Sequence, residues 1–349
     1  MNRQTRLPSG GASGQSARIT GFGSNRQVAI ITNDAKRDIH AIGNALSLGA
    51  FKYAKLSNPV IFDTIYRGKP GDGSMFVGIT WIGDMLLEVI QPIADDNIYA
   101  KFLARRDGKP GVQHIFLENG DFDYDSAIDQ LANAGVPPQQ NGRMNAKGQI
   151  GPITLPPMPQ ALANRYASRF CYTESHNELG TDIELSHFSF GMPYRTGLRL
   201  AAGDEWIPSS KPYHFETVPD ESIFSEIDTV YVLTNDIDAK AEYFAKLTDF
   251  APVVLDYNDD AFPGEGRYSE IVAGKTRLVL IEPVSGSRLD TILKASGEGV
   301  QLIGGEPNGS RIEERLKARG WATEVSSVGL LAEHANVPFA VWFGSGAYD

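Results

Sequence analysis

The stretch Gly111-Val112-Gln113-His114-Ile115-Phe116-Leu117 has the pattern of a short buried strand that carries one histidine. The segment after it, residues 121–135, repeats its apolar side chains at helical spacing and ends at Gly135. A histidine at the start of such a strand, just before a strand-to-helix turn, can be held rigidly at the wall of a cavity. A single strand histidine is more often a hydrogen-bonded core residue, so its meaning depends on whether the pattern recurs.

The order strand, helix and further strands recurs four times, which is a strong signal of internal repetition. The copies open with four apolar strands, at residues 27–32, 111–117, 227–233 and 299–302. In the first copy, Asn33-Asp34 can cap a helix that runs to about Leu48. Three strands are predicted to follow that helix, at residues 59–66, 75–81 and 85–90.

The second copy contains a Pro/Gly-rich insertion at residues 136–160, which predicts a loop laid over a surface or a cleft mouth. Its closing strands are predicted at residues 169–173 and 181–187. Four copies of one module make an α+β protein with two paired domains. The predicted parts are a flexible tail (1–22), an N-terminal domain (23–190), a linker (191–222) and a C-terminal domain (223–349).

The composition limits the class of partner. The chain has 349 residues and a formal net charge of −11, which argues against nucleic acid or an anionic membrane as the main partner. No apolar run approaches the length that crosses a bilayer. The single Cys171 excludes a disulfide within the chain and any multi-cysteine zinc site, which suits a reducing cytoplasm.

The repeated module resembles the vicinal oxygen chelate superfamily, which includes glyoxalase I, methylmalonyl-CoA epimerase and the extradiol dioxygenases. Its first two copies are most similar to the glyoxalase and epimerase branch. The phrases that resemble the motif strands are Gln27-Val28-Ala29-Ile30, Leu87-Glu88-Val89-Ile90-Gln91-Pro92, Gly111-Val112-Gln113-His114-Ile115 and Thr181-Asp182-Ile183-Glu184-Leu185. The resemblance implies four βαβββ modules paired into two cupped mixed sheets, with metal ligands on the first and fourth strands of each module.

Carried over onto this sequence, the resemblance implies a metal site in the N-terminal domain formed by Gln27, Glu88, His114 and Glu184. One imidazole, two carboxylates and one amide oxygen suit one divalent metal, with zinc as the first choice and nickel, cobalt or manganese as others. Iron fits less well, because oxygen-activating sites of this kind use two histidines and only His114 is present. Without a metal, the same four polar residues would be hydrogen-bonded to each other.

The C-terminal domain is expected to be metal-free. The positions that match the four ligands there are Thr229, Val279, Leu302 and Ala340. None of these offers a side-chain ligand of the required type.

The resemblance implies removal of a proton next to a metal-bound carbonyl, through an enediolate or enolate. Glu184 is the expected base, and Glu88 could return the proton from the other side. The expected activity is therefore that of an isomerase, epimerase or lyase, acting on a small carbonyl compound or thioester. Two alternatives remain: an extradiol-type ring-cleaving dioxygenase, and a metal-free binding protein of the antibiotic-resistance type. Monomer and homodimer are both feasible.

Other polar residues near these strands have plainer interpretations. Glu174 and His176 precede the last strand of the N-terminal domain and are expected in a solvated turn. Arg105, Arg106 and Lys109 are expected on an ordinary exposed face, although a substrate phosphate or carboxylate could also meet them.

Overall fold

A computed structural model describes residues 16–145, 148–150, 153–188, 205–207, 219–256 and 266–344. The strands in these ranges are β1 (Ala17–Arg18), β2 (Asn25–Ile31), β3 (Phe51–Leu56), β4 (Ile61–Tyr66), β5 (Lys69–Pro70), β6 (Met75–Ile82), β7 (Met85–Pro92), β8 (Gly111–Leu117), β9 (Pro138–Met144), β10 (Gly148–Ile150), β11 (Ile153–Leu155), β12 (Ser168–Thr173), β13 (Asp182–His187), β14 (Glu205–Ile207), β15 (Phe224–Leu233), β16 (Leu255–Asp256), β17 (Gly266–Ala273), β18 (Thr276–Pro283), β19 (Gly299–Pro307), β20 (Ala322–Ser326), β21 (Gly329–Glu333) and β22 (Ala340–Gly344). The helices are α1 (Ala35–Leu46), α2 (Ile98–Arg105), α3 (Tyr124–Asn133), α4 (Gln160–Tyr166), α5 (His176–Leu179), α6 (Ile237–Phe244), α7 (Arg288–Ser296) and α8 (Ile312–Ala318).

The N-terminal sheet is centred on β2 and β8, which pair antiparallel. Its strand order is β14-β3-β6-β7-β2-β8-β13-β12-β9-β4-β5. On one side β2 pairs with β7 in parallel, and on the other side β8 pairs with β13 in parallel. The two modules thus place their first and fourth strands together in the middle of one curved mixed sheet.

The N-terminal sheet curls until its two ends come close to each other. Strands β3 and β4 follow one another in the chain, yet they lie near opposite ends of the strand order, where β4 pairs with β9. Only residues 57–60 join them. Five Cα-to-Cα steps span at most about 18 Å, so the edges of the sheet nearly meet and enclose a cup.

The strands of the first copy therefore differ from the prediction. The second strand of the module is β3, which the sequence interpretation missed, while the predicted strand at residues 59–66 is the extra strand β4. The predicted loop at 136–160 contains β9 and the short antiparallel strand pair β10 and β11. The predicted closing strands of the second copy are present as β12 and β13.

The C-terminal sheet has the order β1-β17-β18-β15-β19-β22-β21-β20, with β16 also paired to β17. It repeats the plan of the first sheet, because β15 and β19 pair antiparallel in its centre. Its edge strand β1 comes from the start of the chain and pairs in parallel with β17. The described end of the predicted flexible tail, residues 16–22, is therefore packed, and Ile19 and Phe22 are buried; residues 1–15 lie outside the described ranges.

Helices and strand faces divide the core into layers. The largest buried cluster joins the convex faces of both sheets with α1, α3, α6 and α8. On the concave side of the N-terminal sheet, α2 contributes a second cluster, with Tyr99 and Phe102 packed among strand residues. Helix α7 fills the C-terminal sheet in the same way, through Leu289 and Leu293.

The predicted linker, 191–222, falls largely outside the described residues. Its described part includes β14, which pairs with β3 at the edge of the N-terminal sheet. The domain boundaries at about 190 and 222 stay predictions. Among the described residues, no helix is long and apolar enough to cross a membrane.

We expect Ile19→Ala to destabilise the protein by about 2–5 kcal/mol, since it removes a buried side chain at the edge of the C-terminal sheet. Urea unfolding would measure the change. The matched control is Leu162→Ala, at a side chain that is 49% exposed and should change stability little. Equal losses in the two variants would show that residues 16–22 do not pack against the sheet.

Candidate metal centre

Sheet register brings the four predicted ligands together. Ala29, on the central strand β2, is opposite Glu88 of β7 on one side and opposite His114 of β8 on the other. Gln27 lies two residues before Ala29, on the same concave face of the sheet. Glu184 is on β13, which pairs with β8 beyond His114. All four side chains therefore project into the cup from adjacent strands.

The four side chains form one hydrogen-bonded cluster. The Gln27 Nε2 atom lies 2.8 Å from Glu88 Oε2, 2.9 Å from Glu184 Oε2 and 3.1 Å from His114 Nε2. The His114 Nε2 atom is 3.2 Å from Glu184 Oε2 and 3.6 Å from Glu88 Oε2. His114 is fully buried, and the carboxylate side chains of Glu88 and Glu184 are 12% and 10% exposed.

This donor set fits a divalent metal. One oxygen from each carboxylate and one imidazole nitrogen all lie within 4.8 Å of one another. Donors that share a zinc ion at about 2.0–2.2 Å lie roughly 3–3.6 Å apart, which is close to the separations measured from His114. Gln27 can join the set only by turning its amide so that Oε1, rather than Nε2, faces the other three ligands.

The electrostatics of the cluster depend on its buried charges. Burial lowers the pKa of His114, but hydrogen bonds and charge interactions with Glu184 and Glu88 outweigh it and raise that pKa to about 9. Burial, with a smaller contribution from the charge of Glu184, raises the pKa of Glu88. A proton on the imidazole thus offsets the two carboxylates, in the place that a metal cation would take.

His114 is oriented by a neighbour to which the sequence interpretation assigned no role. The Nδ1 atom of His114 lies 3.0 Å from Gln113 Oε1, while Gln113 Nε2 donates to the carbonyl oxygen of Ile98 at 3.2 Å. Because the amide is fixed by its second bond, Nδ1 carries the hydrogen and Nε2 faces the cup.

A β-bulge places Gln113 there. Ala29 is opposite His114 and Ile30 is opposite Val112, so Gln113 is left without a partner on β2. A bulge changes the direction of the side chain that it carries, which explains how consecutive residues can both serve one site.

The cup opens into a pocket of about 740 Å³, counted out to open solvent. Gln27, Glu88 and Glu184 form its polar floor. Most of the rest of its lining is apolar, from Ala54, Leu56, Ile61, Met75, Val77, Ile79, Met144, Phe170 and Phe188. Lys52, Ser168, Arg169 and Ser186 add polar groups to the wall.

Two tyrosines next to His114 were also missed by the sequence interpretation. The Tyr99 hydroxyl donates to the Tyr172 hydroxyl at 2.8 Å, and both rings are buried. The Tyr172 ring meets the His114 ring edge-on, with centroids 4.8 Å apart. Tyr99 is on α2, which the sequence places only as a connection, so nothing in its spacing indicated this contact.

The other candidate residues stay away from the cluster. Glu174 is exposed and paired with Arg67, as a solvated turn predicts. His176, in contrast, packs edge-on against Phe102, and burial followed by the charge of Arg105 lowers its pKa to about 3. The solvated-turn interpretation is therefore wrong for His176.

The basic group after α2 also differs from the prediction in part. Arg106 packs over the Phe102 ring and donates to the carbonyl oxygen of Ser296, the last residue of α7. It is a packing residue between the two halves of the chain rather than part of an exposed face.

The C-terminal cup has apolar side chains where the N-terminal cup has ligands. Val279 and Leu302 are opposite Tyr231 in the way that Glu88 and His114 are opposite Ala29. The match to Glu184 is Trp342 rather than the predicted Ala340, since Ala340 is opposite Leu302 as Asp182 is opposite His114. The matched residues Val279, Leu302 and Trp342 belong to a buried apolar cluster.

Among the described residues, the group of side chains that could hold a metal is Glu88, His114 and Glu184 in the N-terminal cup. The metal-free state of the C-terminal half stays a prediction, and the four predicted ligands of the N-terminal cup are the candidate centre.

Comparison with known proteins found similarity in structure but no match in sequence. No family model and no curated protein sequence matches the chain. A mutant of 4-hydroxymandelate synthase from Streptomyces coelicolor has a TM-score of 0.53 and 13% identity, with 95% of each chain covered. A xylose isomerase-like TIM barrel/4-hydroxyphenylpyruvate dioxygenase fusion protein has a TM-score of 0.50 and 14% identity, over 94% of this chain and 50% of that one.

Methylmalonyl-CoA epimerase is similar to 47% of this chain, with 16% identity and a TM-score of 0.29 that supports no conclusion about the branch. The two longer likenesses agree with the paired curled sheets and with the predicted repeats. The chain therefore has the fold of the vicinal oxygen chelate superfamily, with its four modules in two cupped sheets.

Proposed function

We propose that the protein is a divalent-metal-dependent isomerase, epimerase or lyase that removes a proton next to the carbonyl group of a small substrate. The observation that carries this proposal is the convergence of one imidazole and two carboxylates on a single point at the floor of an apolar pocket. Such a set binds zinc, nickel, cobalt or manganese without a need for redox chemistry.

Gln27, Glu88, His114 and Glu184 would hold the cation, and Gln113 would keep the imidazole in the binding tautomer. A divalent cation in this position supplies Lewis acidity toward a carbonyl oxygen. The Glu88 and Glu184 side chains are only 12% and 10% exposed, and this low exposure to solvent strengthens the electrostatic contacts made at the floor of the cup.

Glu184 is the proposed base, and Glu88 is the proposed partner on the opposite side. In the strand order β7-β2-β8-β13, their strands flank the central pair, so the two carboxylates approach the centre from opposite directions. Ser186 donates to Glu184 Oε1 at 3.0 Å, which orients that carboxylate. Two carboxylates on opposite sides allow a proton to be taken from one face and returned to the other, as epimerisation requires.

The apolar wall of the pocket favours a substrate with a hydrocarbon part beside its carbonyl or thioester group. Cys171 is buried and free, which is consistent with our placement of the enzyme in the cytoplasm. Either a monomer or a homodimer would serve this site, since both modules of the cup come from one chain.

A ring-cleaving dioxygenase is the second candidate. It is favoured by the similarity in fold, over nearly the whole chain, to proteins that include a 4-hydroxyphenylpyruvate dioxygenase fusion. The ligand set speaks against it, because iron sites that activate oxygen use two histidines and one carboxylate. Bound iron together with oxygen uptake in the presence of a catechol would establish this candidate instead. A purified protein without any metal would favour a binding protein.

We expect the purified protein to hold about one equivalent of zinc, nickel, cobalt or manganese, and both Glu88→Ala and His114→Ala to lose it. Elemental analysis would measure this. The control is Glu174→Ala, which removes an exposed carboxylate outside the cluster and should leave the metal content unchanged. Metal retained in both cluster variants would place the metal elsewhere.

We expect Glu184→Gln to slow proton exchange by at least about 100-fold per bound metal, because an amide cannot accept the proton. The assay would follow deuterium uptake from solvent into α-hydroxythioesters and acyl-CoAs by mass spectrometry. Ser186→Ala is the matched variant, since it only removes a hydrogen bond to the same carboxylate, and its loss should be smaller. Full turnover by Glu184→Gln with the metal in place would rule out Glu184 as the base.

Metal affinity should fall as the pH is lowered from about 9 to 7. In the metal-free cluster the pKa of His114 is raised to about 9, so below that pH the imidazole must lose a proton before it can bind a cation. About one proton should therefore be released per metal bound near pH 7–8. Calorimetric titrations in buffers of different ionisation enthalpy would count it; an affinity that does not change between pH 7 and 9 would contradict this account.

A further inference from the structure

A second concave site lies outside the cup, where β9 ends, β12 begins and β13 ends. It is a cleft of about 900 Å³, counted out to open solvent. Three arginines, Arg143, Arg165 and Arg169, line it together with Tyr166 and His187. In the following paragraphs this is called the arginine cleft.

The arginine cleft concentrates positive charge in an acidic protein. Arg143 is directly opposite Arg169 across β9 and β12, and Arg169 is directly opposite His187 across β12 and β13. Like charges in direct cross-strand positions are unfavourable unless something compensates for them. The chain as a whole has a formal net charge of −11, so a row of this kind does not follow from its composition.

Two of the guanidinium groups are held in place by polar partners outside the cleft lining or within it. Asp125 accepts hydrogen bonds from Arg169 Nη1 at 2.9 Å and from Arg169 Nη2 at 3.2 Å. Arg143 donates through Nη1 to the carbonyl oxygen of Asn164, and its Nε lies 3.7 Å from Asp63 Oδ2. The Arg143 and Arg169 side chains are about one-third exposed, at 33% and 34%.

The third guanidinium has a different support. Arg165 lies over the ring of Tyr166, 5.2 Å from its centroid. Among the described residues it pairs with no carboxylate. The pKa of the nearby His187 is lowered, first by burial and then by the positive charge of Arg169.

We propose that the arginine cleft binds an oxyanion, namely a phosphate or carboxylate group. A guanidinium presents paired donors whose geometry matches the two oxygens of such a group, and side chains that are already held lose little entropy on binding. An anion in the cleft also supplies a negative charge to Arg165, which pairs with no carboxylate among the described residues, whereas Arg143 and Arg169 each have one.

The oxyanion has two possible sources, because the cleft borders the pocket of the metal centre. Arg169 lines both, and its neighbours on β12, Ser168 and Phe170, line the pocket alone. The group can be the anionic end of a substrate whose carbonyl lies in the cup, or a separate small anion that binds at the rim. The chemistry recognised by the arginines is the same in both cases.

The test is a calorimetric titration of the full chain, freed of metal by a chelator, with inorganic phosphate. We expect binding by the wild type, and about fivefold or greater weakening in Arg165→Gln. The matched control, Arg311→Gln, removes the same charge from an exposed side chain of the C-terminal half and should bind phosphate as the wild type does. No phosphate binding, or equal weakening in the two variants, would overturn the proposal. Because no metal or turnover is involved, the result is independent of the proposed activity.

A second titration distinguishes the sources. The probe is a hydroxyketone with a phosphate on the far end of a short alkyl chain, added to the metal-loaded protein. Tighter binding than phosphate alone, lost in Arg165→Gln and also in His114→Ala, would identify the anion as part of the substrate. Affinity equal to that of phosphate, lowered by Arg165→Gln only, would identify a separate anion. Affinity that does not respond to Arg165→Gln would overturn the site for both sources.

Discussion

The N-terminal cup depends on the balance of charge between two buried carboxylates and one buried imidazole. Two carboxylates this close in a dry cavity repel each other strongly unless a cation lies between them. In the metal-free cluster that cation is a proton on His114, whose pKa is raised to about 9. The same balance explains why the site is suited to a divalent metal, because a metal offers more positive charge in the same position.

The cup holds this cluster in place through the register of the sheet rather than through any loop. Ala29 on β2 is the register partner of both Glu88 and His114, so the three residues lie side by side across the sheet. The small side chain of Ala29 leaves the space between the other two open. The bulge at Gln113 then orients His114 from the next position along the same strand. A matching bulge leaves Gln301 unpaired in the C-terminal sheet, where Leu302 takes the place of the histidine. The bulge is therefore a property of the module, and the chemistry depends on the residue that follows it.

Much of the fold and the four candidate ligands could be predicted from the sequence, because both follow from repetition. The modules repeat their strands and helix caps at similar spacings: Asp34 caps α1 as predicted, and Asp236 caps α6 in the same way. Strand β3 was missed because its two lysines, Lys52 and Lys55, are typical of a surface segment, whereas the apolar run that begins at Pro59 has a clearer strand pattern. The packing of residues 16–22 was not predictable, since their partner β17 lies some 250 residues away along the chain. Tyr99 and Gln113 were missed for a related reason: their roles come from contacts across the cup, which no local pattern records.

The difference between the two cups is a further argument that the N-terminal cluster has a use. The two sheets share their strand plan, their bulge and a helix that fills the concave side, yet the C-terminal one is packed with Val279, Leu302 and Trp342 at the matched positions. Apolar side chains there show that the module can be stable without buried charge. Replacing a buried ionic cluster by well-packed apolar groups is often neutral or stabilising, so stability alone gives no reason to keep two carboxylates and a histidine in the other cup. The two carboxylates and the histidine lie at the floor of an open pocket in the N-terminal cup, and a functional role explains their presence there where packing does not.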